Sequence, residues 1–203
     1  MNPLPRLYAI ADASFSNPVD LAKALFDGGV RLLQIRNKIG SARDFLEQVE
    51  KILALAPPGA NVIVNDRVDV ARISGAGGVH LGQNDLQVTA ARRILGKDSI
   101  IGLSTHNLDQ ALKADKLSVD YIAVGPIFPT STKLSPDPVV GLEGLAAICK
   151  MIDKPVVAIG GIQLENARRV LDAGAHSIAV IRDLLSSVDI QVRAREWIRV
   201  IGE

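Results

Sequence analysis

Eight short apolar runs, each followed by a stretch with helical character, constrain this chain more than any other feature. The runs have strand length and lie at Leu7–Ile10, Leu32–Arg36, Val62–Val64, Gly78–Leu81, Ile100–Leu103, Tyr121–Val124, Pro155–Ile159 and Ser177–Ile181. The segments after them are expected to be helices at Pro18–Asp27, Asp44–Ala56, Val68–Ser74, Val88–Leu95, Leu108–Ala114, Leu142–Met151, Leu164–Ala173 and Ile190–Ile201. In the second of these, Phe45, Leu46, Val49, Ile52, Leu53 and Ala56 make a helical stripe. Asn17 stands as an N-cap before Pro18, and the D-G-G and D-A-G ends at Asp27 and Asp172 supply left-handed turns into the next strand. Strands alternating with helices imply a parallel sheet with the helices outside it. Eight such units predict an α/β fold, a single-domain (β/α)8 TIM barrel spanning residues 1–203.

The charge balance excludes whole classes of partner. Lys and Arg number 23 against 22 Asp and Glu, a formal net charge of +1. That leaves no electrostatic case for nucleic acid, and no basic run points to a membrane surface. Any phosphate must therefore be bound by a local cluster. Cys149 is the single cysteine, so no internal disulfide and no metal-binding cysteine motif is expected. Arg6, Asp12 and Asp20 interrupt the N-terminal segment, which does not resemble a signal peptide, and no apolar stretch approaches a membrane span. These points predict a cytoplasmic protein acting on small molecules. Oligomeric state is left open.

In a barrel of this kind, function is expected at the C-terminal ends of the strands. After the second strand, Gln34, Arg36 and Lys38 can project to one side by strand alternation. The third and fourth strand ends offer Asn65-Asp66 and then Asp85. Two carboxylates with substrate phosphate suit a hard cation such as Mg²⁺. Each is also a plausible cap for the helix that follows. Ser104, Thr105 and His106 follow the fifth strand: Ser104 and Thr105 as site residues or caps, and His106 as an acid, a base or a rim residue. His80, between Val79 and Leu81, reads as a buried histidine with its hydrogen bonds satisfied, and His176 falls at the opposite face.

The sixth strand ends at Gly125-Pro126 and runs into a long loop carrying Thr130, Thr132 and Lys133. Hydroxyls beside an ammonium make a place for an anion. Gly160-Gly161 and Ile181-Arg182 follow strands seven and eight, the usual phosphate site of such barrels. Two anion sites result. One, at Gly161 and Ile181-Arg182, suits a monophosphate. The other, combining Arg36, Lys38, Lys133 and a metal on Asp66 and Asp85, suits a diphosphate.

Seven segments in this order resemble the thiamine-phosphate synthase family: Q-I-R-N-K at Gln34, V-N-D-R-V-D at Val64, G-V-H-L-G-Q-N-D at Gly78, G-L-S-T-H at Gly102, G-P-I-F-P-T-S-T-K at Gly125, G-L-E-G-L at Gly141 and V-A-I-G-G-I at Val157. The resemblance implies a transferase of thiamine biosynthesis. It would join 4-amino-2-methyl-5-pyrimidinylmethyl diphosphate to 4-methyl-5-(2-phosphoethyl)thiazole, giving thiamine phosphate and diphosphate. It further implies Mg²⁺ as cofactor, with diphosphate leaving first and the thiazole nitrogen capturing a pyrimidine carbocation. By position, Gln34, Arg36, Lys38, Asn65, Ser104 and Lys133 would bind the pyrimidine diphosphate, with Ser104, Lys133 and Arg36 at the reacting centre. Asp66 and Asp85 would hold the metal. Thr130, Thr132, Gly161, Ile181 and Arg182 would surround the thiazole phosphate, and the loop at Thr130 would act as a lid.

Two positions depart from the family pattern. Asn37 stands where glutamate is usual, and its place in the strand aims it away from the mouth. Arg182 stands where serine is frequent, and it adds a cation. Rival readings are a thiazole tautomerase using His106, a noncatalytic phosphate-ligand binder, and a phosphosugar isomerase with Asp66 or Asp12 as base.

Overall fold

Several helices begin where a side chain accepts a free backbone N–H, as the sequence leads one to expect. Asn17 Oδ1 accepts from Val19 N at 2.9 Å, with Pro18 in the first helical position. Ser41 and Asp44 form a reciprocal capping box. Asn107 and Asp189 cap two more helices through Gln110 N and Val192 N, each at 2.9 Å. The caps foreseen at Asp66, Asp85, Ser104 and Thr105 are not used. Arg67 and Gln87 hold the first two cap positions without a side-chain bond, and Asn107 holds the third. The four residues are thereby left for other work.

A computed structural model describes residues 4–130 and 137–202. Strands are β1 (Leu7–Asp12), β2 (Leu32–Arg36), β3 (Asn61–Asn65), β4 (Gly78–Leu81), β5 (Ile100–Thr105), β6 (Tyr121–Val124), β7 (Val156–Ile159) and β8 (Ser177–Val180). Helices are α1 (Pro18–Asp27), α2 (Ala42–Leu55), α3 (Val68–Ser74), α4 (Val88–Leu95), α5 (Leu108–Asp115), α6 (Gly141–Met151), α7 (Ala167–Asp172), α8 (Arg182–Leu185) and α9 (Ile190–Ile201). All strand pairs are parallel, and β1 pairs with both β2 and β8, closing the expected eight-stranded barrel.

Strand parity divides the apolar residues into two cores. Tyr8, Ile10, Leu32, Ile63, Ile100, Tyr121, Ala123, Val157 and Ala179 fill the barrel. The alternate residues face the helices, where Leu33, Ile35, Val64, Val79 and Ile122 pack with Leu25, Val49, Leu145 and Trp197. Burying one such aliphatic side chain stabilises the fold by about 1.5–3 kcal/mol. Turns into the strands use glycine where expected: Gly29 has φ 101° and Gly174 φ 106°.

Differences from expectation lie at element ends. β5 runs on to Thr105 because Ser104 and Thr105 pair with Ala123 and Val124. Pro155 stays outside β7, though its carbonyl still accepts from Ile122 N. The expected helix at 164–173 splits into a 3₁₀ turn at Leu164–Asn166 and α7, because Asn166 folds back to accept from Gln163 N. Ile181 leaves the strand and caps the short helix α8, which the apolar pattern did not reveal.

Candidate active site

The strand ends open into one cavity of about 1250 Å³ at the C-terminal mouth of the barrel. Gln34, Arg36, Lys38, Asn65, Asp66 and Asp85 line it, as do Ser104, Thr130, Gly161, Ile181 and Arg182. The structure thus brings together every site residue expected from sequence that falls within the described positions. Thr132 and Lys133 lie outside the described residues.

The cavity floor is uncharged. Gln34 Nε2 donates to Tyr8 Oη at 2.9 Å, and Tyr8 Oη meets Tyr121 Oη at 2.9 Å. Tyr121 Oη reaches His80 Nδ1 at 2.9 Å, and His80 Nε2 reaches Ser104 Oγ at 2.8 Å. His80 is therefore the satisfied, buried histidine expected. Burial pushes its pKa down to about 4, so the ring is neutral near pH 7. Burial likewise raises the pKa of Tyr8 and of Tyr121.

The rim is charged, and its cations on the β2 side are already paired. Arg36 Nη1 donates to Asp12 Oδ2 at 2.5 Å. Asp12 is 2% exposed, and its Oδ1 accepts from both the amide and the hydroxyl of Ser14. These contacts hold the guanidinium by a fixed carboxylate. Lys38 Nζ lies 3.0 Å from Asp66 Oδ2. Asn37 turns away from the mouth, as expected; it donates to Gln48 and accepts from Ile39 N and Gly40 N, which shapes the loop instead.

Asp66 has a left-handed backbone, φ 61°, a conformation that Asp tolerates better than most residues. Asp85 accepts from Gly82 N at 2.7 Å. Burial, and then the nearby Asp85, push the Asp66 pKa up against the opposing pull of Lys38. Two carboxylates close enough to perturb one another are hard oxygen donors suited to a divalent cation. Among the described residues no group of three or more His, Cys, Asp or Glu side chains converges. A cation held there would complete its shell with water and phosphate oxygens, the usual habit of Mg²⁺.

The opposite side of the mouth is built by glycines. Gly160 has φ 100° and Gly161 φ 65°. A Cβ at Gly161 would lie 2.5 Å from the Pro129 carbonyl, and one at Gly160 would lie 2.6 Å from Pro126. Ile127 N and Phe128 N donate to the Ile159 and Gly160 carbonyls, each at 3.0 Å. The glycine pair therefore seats the root of the β6 loop as well as facing the cavity. His106 tethers the same loop: Nδ1 donates to the Gly125 carbonyl at 2.7 Å, and Nε2 lies 3.5 Å from Asp137.

Helix α8 is anchored from behind. Arg193 donates to both oxygens of Asp183, at 3.0 and 2.9 Å, and Trp197 Nε1 also donates to Asp183. Arg182, at the start of α8, holds its guanidinium 5.9 Å from the centroid of the Phe15 ring.

Sequence reasoning missed the parts played by five residues. Asp12 was considered only as a possible base, and it holds Arg36 instead. Tyr8 and Tyr121 looked like core residues; their inward parity, shared with Gln34 and His80, was the available clue. Asp183 and Arg193 are ten residues apart in different elements, and nothing in their spacing marks them.

The sequence model of the family described as thiamine monophosphate synthase matches residues 7–184. A thiamine-phosphate synthase of Koribacter versatilis is 50% identical over 205 residues, covering 98% of this chain and 96% of that one. One from Chlorobium phaeovibrioides is 46% identical over 200 residues, covering 98% and 95%. The solved thiamine phosphate pyrophosphorylase of Pyrococcus furiosus superposes with a TM-score of 0.89 at 36% identity, covering 97% of this chain and 95% of that one.

Proposed function

The chain belongs to the thiamine monophosphate synthase family, and from that premise we propose how its cavity divides the work. The family's reaction is a transfer in thiamine biosynthesis: the pyrimidinylmethyl diphosphate is joined to the thiazole phosphate, with release of diphosphate.

The pyrimidine diphosphate lies across the β2–β5 side. Gln34, Asn65 and Ser104 face the ring, while Arg36, Lys38 and Lys133 take the diphosphate. Asp66 and Asp85 would hold Mg²⁺, which would supply charge neutralisation to the departing diphosphate. The thiazole phosphate lies across the β6–β8 side, on Thr130, Thr132, Gly161, Ile181 and Arg182. The single observation that carries this reading is the division of the rim: paired cations and carboxylates on one side, positive-φ glycines and the start of α8 on the other.

Such a site stabilises charge rather than moving protons. Arg36 is held by Asp12, so it meets an incoming diphosphate with little reorganisation. Lys38, at the exposed end of its pair with Asp66, can reach a phosphate oxygen. Loss of diphosphate leaves a pyrimidine carbocation, and the thiazole nitrogen, positioned beside it, captures the carbon centre. Water must be kept from that cation, which asks for a covered mouth once both substrates are bound. No nucleophile–base pair is needed; the engaged Nδ1 of His106 argues against the tautomerase reading, and the bonds of Asp12 to Arg36 and Ser14 argue against Asp12 as an isomerase base.

The closed barrel draws strands from Leu7 to Val180, which supports one domain. Among the described residues no helix is long and apolar enough to cross a membrane. With a single cysteine, that supports a cytoplasmic location.

The deciding experiment is a product assay with purified protein, both substrates, and either Mg²⁺ or EDTA. Thiamine phosphate formed only with Mg²⁺ is expected. Folded protein that yields no product would overturn the synthase reading, and product in EDTA would remove the metal assignment.

A further inference from the structure

The turn at Ile181-Arg182 hangs between a strand and a helix too short to hold itself. β8 ends at Val180, Ile181 leaves the extended conformation, and α8 spans only Arg182–Leu185. Its two α-type bonds run from Leu185 N to the Ile181 carbonyl and from Ser186 N to the Arg182 carbonyl, both at 2.9 Å. A helix of that length is marginal by itself. Leu184 and Leu185 are buried and keep it against the core. Apolar contact is non-directional, however, and leaves the rotation of the helix open. Asp183 supplies the directional contact.

Asp183 reaches α9 with both carboxylate oxygens. Arg193 Nε and Nη2 donate to Oδ2 and Oδ1 at 3.0 and 2.9 Å, and Trp197 Nε1 donates to Oδ2 at 2.5 Å. Two parallel bonds from a guanidinium fix an angle as well as a distance. The donors are themselves fixed. Arg193 Nη1 donates to Glu196 Oε2 at 3.0 Å, and Trp197 is fully buried. α9 in turn is seated on the end of α1: Gln191 Nε2 donates to the Asp27 carbonyl at 3.1 Å, and a Cβ at Gly28 would lie 2.6 Å from Ala194 Cβ. From the β7 side, Glu165 lies 3.8 Å from the same guanidinium, so Arg193 stands between the connections that follow β7 and β8.

We propose that Asp183, held by Arg193 and Trp197, is the positioning residue that fixes the direction of the Ile181-Arg182 turn and so sets the affinity for the thiazole phosphate. The inference rests on the synthase reading, in which that turn contacts the thiazole phosphate. Asp183 follows Arg182 directly, so any rotation of α8 displaces the turn. The pyrimidine diphosphate side is built on β2–β5 and has an anchor of its own, Asp12 on Arg36. Loss of the Asp183 anchor therefore weakens one substrate and spares the other.

The test is steady-state kinetics on the wild type, Asp183→Asn, Arg193→Lys and Trp197→Phe, with both substrates and Mg²⁺. Asp183→Asn keeps the shape but loses the charge and one acceptor. Arg193→Lys keeps the charge but cannot bridge two oxygens. Trp197→Phe removes only the N–H. The thiazole phosphate KM is expected to rise about tenfold in the first two and less in the third, with kcat and the pyrimidine KM within about twofold of wild type. A merely structural role would move both KM values and kcat together. That result, or an unchanged thiazole phosphate KM in the folded variants, would overturn the inference. A rise in the pyrimidine KM alone would take the thiazole phosphate off this turn, and the inference with it. A second readout needs no turnover. Amide hydrogen exchange at Leu185 and Ser186 should quicken in Asp183→Asn while the strands keep their protection, and exchange equal to wild type would overturn the anchor. Wild-type protein that makes no thiamine phosphate would instead sink the synthase reading, leaving the exchange measurement to judge the anchor.

Discussion

The floor and the rim of the cavity are made by the same strands, yet they are chemically opposite. Along β2 and into its loop, Gln34 is 3% exposed, the Arg36 side chain 28% and the Lys38 side chain 54%. The amide sits deepest, and the charges come only where water can reach them. On the floor, hydroxyls, an amide and a neutral imidazole satisfy one another without an ion. On the β2 side of the rim, Arg36 and Lys38 each have a carboxylate beside them. Desolvation is the reason: a buried charge costs several kcal/mol unless well paired, whereas a neutral hydrogen-bond chain can be buried whole. The floor can therefore fix shape, and the rim can meet phosphate and metal.

The most severe way to break this division is at the rim carboxylates. Asp66→Ala and Asp85→Ala should each cut turnover about a hundredfold or more and raise the Mg²⁺ concentration needed, with Asp66→Ala also lowering the melting temperature somewhat because alanine is strained at that left-handed backbone. Steady-state assays across a Mg²⁺ titration measure this, and wild-type rates in both variants would end the metal assignment. Asp12→Asn should have a smaller kinetic effect, about tenfold in kcat/KM for the pyrimidine substrate, because Arg36 keeps its charge but loses its fixed carboxylate. If the thiazole KM moved instead, Arg36 would belong to the other side of the mouth.

Acid should reveal the floor. His80 has a folded-state pKa of about 4, below the ordinary 6.5. Between those values the unfolded chain binds a proton that the folded chain refuses. This contribution to stability is thus full above about pH 6.5, falls as pH drops towards 4, and levels off below. The loss is on the order of 3 kcal/mol. Urea unfolding at pH 7 and at pH 4.5 should show it in the wild type and show less of it in His80→Gln; equal acid dependence in the two would refute the assignment. The smallest effect is expected far from the mouth. Lys23 pairs with Asp27 on an exposed helix face, and Lys23→Ala should leave the melting temperature and turnover unchanged.

Much of this was legible in the chain itself. The eight apolar runs announced the barrel because a parallel strand buried on both faces must be apolar nearly throughout. Gln34, Arg36 and Lys38 were found together because strand side chains alternate with a period of two. The carboxylates Asp66 and Asp85 could be listed at adjacent strand ends, but whether they capped helices or faced the cavity could not be read from spacing. Helix α8 escaped notice because four residues are too few to display a helical period. The hydrogen-bond chain of the floor was hidden for a related reason: Tyr8, His80 and Tyr121 look like ordinary core residues, and nothing local says that their polar tips meet.

The sequence by itself thus determined the barrel, the order of its strands and which side chains within a strand share a face, because period and parity are properties of neighbours along the chain. Only the tertiary structure decided which of those side chains pair. Asp12 with Arg36, Lys38 with Asp66, Asp183 with Arg193 and Tyr8 with Tyr121 are brought together by barrel closure or helix packing. Such contacts depend on distances across the fold, which no spacing in the sequence encodes.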